Sequence, residues 1–139
     1  MKNILIIVTL LFVCNAICLS QCDKKLILHA SKTEYLDADS VLQKAVDENT
    51  IIEITRPGII ISPGDKKMTG TINSDTCDWK IPFIEGKTIL NATFKDEQGT
   101  TRNVIITIEG KDGKLGLLVR TEGMPYLIRV PIDQFEEGK

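Results

Sequence analysis

One histidine, one tryptophan and two tyrosines in 139 residues leave little for the chemistry usually built on those side chains. A zinc centre drawing on several imidazoles has no material here. The 17 lysines and arginines face 19 aspartates and glutamates, so no basic surplus exists to follow a nucleic-acid backbone. The main apolar run, Ile4 to Ile17, is interrupted by Thr9, Cys14 and Asn15. It falls short of the roughly 20 residues that carry a helix across a bilayer. No long crossovers separate the apolar segments, which argues against a parallel sheet. Repeats, low-complexity stretches and interdomain linkers are missing as well, so the chain is expected to form one domain over residues 21–139.

The short apolar run has a meaning of its own. Lys2 precedes it as a positive n-region, and Cys18-Leu19-Ser20 follows with residues that suit signal peptidase cleavage. Residues 1–20 therefore read as a signal peptide, and the protein is expected to be secreted or periplasmic. Cleavage removes one charge, Lys2, and two of the four cysteines, Cys14 and Cys18. Cys22 and Cys77 remain, and in an oxidising compartment two cysteines most simply form one disulfide. Leu19-Ser20-Gln21-Cys22 also resembles a bacterial lipobox, with Gln21 where that motif takes Gly, Ala or Ser. Lipidation of Cys22 is the alternative to the bridge.

Beyond Lys25 the apolar residues alternate with period two. Cys77, Trp79, Ile81 and Phe83 share one face; so do Thr88, Leu90, Ala92 and Phe94. Val104, Ile106 and Ile108 repeat the pattern, followed by Leu115, Leu117 and Val119 and then Tyr126, Ile128 and Val130. Strands with one dry and one wet face have this signature. Turn chemistry punctuates them: Arg56-Pro57-Gly58, Pro63-Gly64-Asp65, Glu85-Gly86, Gln98-Gly99 and Asp112-Gly113. Residues 40–49 carry two signals. Ser40-Val41-Leu42-Gln43 fits a capping box with helical spacing to Asn49, while the surrounding meander favours a strand. Glu136 to Lys139 reads as a frayed polar tail.

The expected fold is all-β: an antiparallel up-and-down meander of eight or nine strands, with one short helix near 40–49 as an option. Closure into a barrel removes exposed sheet edges; a β-sandwich is the alternative. With its strand order, hairpin spacing and single Trp79, the chain resembles the small lipocalin-like (calycin) barrels of exported bacterial proteins over about residues 25–133. Lipocalins carry Gly-x-Trp on their first strand, whereas this tryptophan stands mid-chain in Cys77-Asp78-Trp79-Lys80. An immunoglobulin domain sets its tryptophan between two cysteines, and Trp79 follows both.

Catalytic and metal motifs along the same chain are incomplete. His29 lies on an alternating apolar stretch, and Ser31, Ser40, Ser62 and Ser74 stand in no nucleophile elbow. Asp37-Ala38-Asp39 opens like a calcium loop, but Val41 and Leu42 occupy positions that need an oxygen ligand and a glycine. Asn91-Ala92-Thr93 matches a glycosylation acceptor pattern. No cofactor or catalytic set is implied, and the expected function is binding without catalysis. A small apolar ligand would face Trp79, Phe83, Leu90, Phe94, Ile106 and Leu117 inside the barrel, with Thr88 as the polar residue of that face. The alternative is a protein-binding module or an inhibitor of secreted enzymes. It would use loops on a filled barrel, with Ile84 and Met124-Pro125 as contact candidates.

Overall fold

The computed structural model describes residues 25–96 and 98–137. The expected leader over residues 1–20, and Cys22 with it, lie outside the described residues. Nine strands follow in order: Leu26–Asp37 (β1), Leu42–Thr55 (β2), Gly58–Pro63 (β3), Met68–Ile81 (β4), Glu85–Lys95 (β5), Thr101–Lys111 (β6), Lys114–Thr121 (β7), Tyr126–Pro131 (β8) and Gln134–Glu137 (β9). Each of β1 to β7 pairs antiparallel with the strand that follows it, and β8 returns to β1. The sheet is thus a closed eight-stranded up-and-down barrel, and the sandwich alternative falls away. β9 is an addition: β8 pairs with Glu34–Asp37 of β1, and β9 pairs with Leu26–His29 of the same strand.

Alternation along each strand decides which side is dry. Leu28, Ile52, Ile59, Leu90 and Ile106 are fully buried at 0% exposure. Leu28 faces Ile52 across β1 and β2, Leu90 faces Ile106 across β5 and β6, and Ile108 faces Leu117 across β6 and β7. Each such side chain contributes about 1.5–3 kcal/mol by leaving water. Leu28, Ile52, Ile59, Leu90 and Ile106 therefore border no space that a water molecule enters. The aliphatic groups of the barrel's middle form one buried cluster.

The turns match expectation in three places and differ in two. Asp112 (φ 55°) and Gly113 (φ 78°) form the tight β6–β7 turn, as the Asp-Gly pair predicts. Gly64 and Gly99 also take positive φ. At Arg56-Pro57, where the peptide is cis, Gly58 does not supply the turn; it begins β3 opposite Thr55. Glu85-Gly86 does not end a strand either. Phe83 takes the left-handed turn position (φ 58°), while Gly86 lies inside the β4–β5 ladder opposite Trp79. The C-terminal residues read as a frayed tail include Glu136 and Glu137 of β9, held by the backbone of β1.

Within 40–49 the strand β2 runs from Leu42 onward, and the described residues contain no helix. The Asp37 carboxylate accepts from Asp39 N and Val41 N at 2.9 Å each, and Gln43 Nε2 donates to it at 3.1 Å. Gln43 is thereby drawn back to the turn instead of completing a capping box. Lys44 to Asp47 then find partners on β1, from Tyr35 back to Lys32. A ladder to a neighbouring strand outweighs a marginal local preference for helix.

Candidate functional site

The six interior residues singled out in the sequence do not converge on one point. Leu90, Ile106 and Leu117 are buried in the packed middle. Trp79, Phe83 and Phe94 are half-buried and pack against that core. Phe94 lies over Gly70, its partner on β4, where an added Cβ would come within 2.8 Å of the ring. The Trp79 ring occupies the space over Gly86 and Gly110, and a Cβ on Gly110 would stand 2.9 Å from Trp79 Cζ3. Glycine at these positions makes room for an aromatic ring from the neighbouring strand.

Trp79 and Phe83 meet at 5.3 Å between ring centroids, and Phe83 meets Phe135 of β9 at 5.2 Å. These three rings gather where β4, β5 and β9 approach one another. Phe94 stands eight residues along β5 from Gly86, about 27 Å at strand rise, so it belongs to the other end. The polar groups near Trp79 are satisfied: Trp79 Nε1 donates to Thr88 Oγ1 at 2.7 Å, and Thr88 Oγ1 donates to Cys77 Sγ at 3.7 Å. Among the described residues Thr50 Oγ1 is buried without a hydrogen-bond partner.

A depression of about 550 Å³ opens elsewhere, on the outer wall. Its register rows run Thr107, Leu118, Arg129 across β6, β7 and β8, and Glu109, Gly116, Pro131 across the same strands. These positions alternate with the core residues Ile106, Ile108, Leu117 and Val130, which fixes them on the outward face. Leu36, Leu118 and Pro131 give the groove apolar walls, and Gly116 opens it, because a Cβ there would meet nothing within 4 Å. Glu109, Lys111, Asp112, Lys114 and Arg129 surround it with both signs of charge.

One ion pair stiffens this wall. Arg129 Nε and Nη2 donate to the two carboxylate oxygens of Glu34 at 3.2 and 3.1 Å, and the two residues are cross-strand partners. Glu34 is buried although it lies on the outward face with Leu36 and Leu127. The Arg129 hydrogen bonds hold its carboxyl below the ordinary value of 4.5 against the opposing effect of desolvation, and the same contact raises Arg129.

The other residues marked in the sequence occupy structural positions. Asp37 turns its oxygens to the β1–β2 turn, as described. Ser31 Oγ donates to Asp133 Oδ2 at 2.6 Å, and His29 accepts from Asp133 N through its backbone carbonyl. Asn91 is exposed and donates to Ser74 Oγ. Among the described residues no three His, Cys, Asp or Glu side chains are grouped to hold a metal ion, and no helix is long and apolar enough to cross a membrane.

Reading the sequence alone missed Gly116 and Arg129, and it took Glu34, with Asp37 and Asp39, for a solvated loop, whereas Glu34 is buried in β1. Gly116 carried a local sign, since it interrupts a run of leucines where the outward face needs no side chain. No protein-family model matches the chain, and no curated protein is significantly similar to it.

Proposed function

We propose that the protein is an exported, non-enzymatic binding protein of lipocalin-like type that holds a small apolar ligand on the outer wall of its barrel. The carrying observation is the groove over Gly116, at about 550 Å³ within the roughly 300–1,000 Å³ usual for small-molecule sites. The full burial of Leu90 and Ile106 supports placing the ligand outside. Leu36, Leu118 and Pro131 supply apolar contact, and the charged surround suits a ligand with one polar end. Export rests on Lys2, the Ile4–Ile17 run and Ser20, and the proposed Cys22–Cys77 bridge belongs to the same compartment. Calycin kinship rests on the eight-stranded up-and-down closure and strand order.

Native mass spectrometry of the purified protein tests the reading. A small molecule retained by the native chain and lost from Gly116→Phe is the expected result; retention by both would move the ligand out of the groove. A second reading, a protein-binding module using loops, has its own observation. Ile84 and Ile81 are 48% and 45% exposed beside the Phe83 turn. A partner protein whose binding is lost in Ile84→Asp, with the groove variant unaffected, would favour it.

A further inference from the structure

Arg129 stands where the groove meets the ion pair beside it. Its row on the outer wall runs from Glu34 on β1 through Arg129 on β8 to Leu118 on β7. The Glu34 carboxylate takes one edge of the guanidinium, through Nε at 3.2 Å and Nη2 at 3.1 Å. Nη1 keeps both of its hydrogens, and among the described residues it has no partner. A guanidinium is a rigid planar fork, so the Nη1 hydrogens point away from that carboxylate. Arg129 is half exposed and lines the groove. The wall thus offers an oriented donor beside apolar contact, the combination that fixes a small ligand's direction.

The charges of this wall cancel. Lys111, Lys114 and Arg129 line the groove together with Glu109 and Asp112, and Glu34 supplies the remaining negative charge. A ligand carboxylate docking on Nη1 would share one cation with Glu34, and the two anions would repel each other. A ligand ammonium would be repelled by Arg129 itself. A neutral carbonyl oxygen meets neither penalty and accepts a charge-assisted hydrogen bond. With the groove as the binding site proposed above, we infer that its ligand is uncharged, an alkyl chain carrying one ketone or ester carbonyl. The oxygen accepts from Arg129 Nη1, and the chain lies against Leu36, Leu118 and Pro131. Glu34 is then a positioning residue: it fixes the guanidinium and cancels its charge.

Methyl-labelled NMR titrations with 2-decanone and with decanoate are the test, at neutral pH where decanoate is charged. The two probes have chains of equal length. The ketone should shift the Leu36 and Leu118 methyl signals and bind roughly tenfold more tightly than the acid, the scale of one hydrogen bond to a charged group. Arg129→Lys keeps a cation beside Glu34 but removes Nη1, and should weaken the ketone to the level of the acid. Glu34→Gln leaves Arg129 charged and uncompensated, and should move the preference roughly tenfold toward the acid. Decanoate binding the native chain as tightly as 2-decanone would overturn the inference. So would a preference that stays the same in both variants. Shifts at Leu36 and Leu118 in those cases would leave the groove standing as a binding site. Their absence with both probes would remove the groove, and the carbonyl ligand with it.

Discussion

Glycines in this barrel divide by what stands above them. Gly110 lies under the Trp79 ring and the Ile84 backbone, with contacts of 2.9 and 3.1 Å awaiting any added Cβ. Gly116, two strand positions beyond the next turn, faces open space. Gly110→Ala should therefore destabilise the fold by about 1–3 kcal/mol through overpacking. Gly116→Val should leave stability unchanged or raise it by about 0.5–1 kcal/mol, since glycine weakens a strand interior. Urea unfolding of the two variants reads the difference directly. Glu34 gives a second prediction at this scale. Its folded pKa lies below 4.5 because of Arg129. The pair therefore stabilises the fold above that ordinary value, and the contribution is lost as pH falls through the lower folded value. Arg129 is half exposed, so the amount is about 1 kcal/mol or less. In thermal melts Glu34→Gln should lie below the native protein near neutral pH, and the two should converge below pH 4.5.

Elements were legible where one face of a strand is dry and the other wet. β5, β6 and β7 carry that alternation almost without a break, and the sequence reading placed their inward residues correctly. β2 is different over Leu42 to Asn49, where nearly every side chain is exposed and periodicity carries no message. Its state is decided by β1, which the local sequence does not contain. β9 was invisible for a related reason: Gln134 to Glu137 are all exposed, and they are held by backbone pairing with β1 and by the contact of Phe135 with Phe83. The outer groove was harder still, because Glu34 and Arg129 stand 95 residues apart and meet only through the β1–β8 register that closes the barrel. The bridge proposed between Cys22 and Cys77 would act at this scale, tying the segment before β1 to β4. Peptide mapping of the unreduced protein should recover the two cysteines in one linked fragment, and reduction should cost about 4 kcal/mol by the chain-entropy estimate. Free thiols at both positions would remove it.

At the scale of the whole molecule, closure and filling go together. An eight-stranded barrel has an interior that side chains can fill or that one small ligand can occupy. Here the aliphatic middle forms one buried cluster, and aromatic rings stand over Gly70, Gly86 and Gly110 beside it. The proposed binding role belongs to the outer surface, where Gly116 thins the wall of side chains. Methyl-labelled NMR during titration with anilinonaphthalene sulfonate separates inside from outside in one measurement. The account predicts that the methyl signals of Leu36 and Leu118 shift while those of Leu90 and Ile106 stay in place. Shifts at Leu90 and Ile106, with Leu36 and Leu118 unmoved, would contradict it.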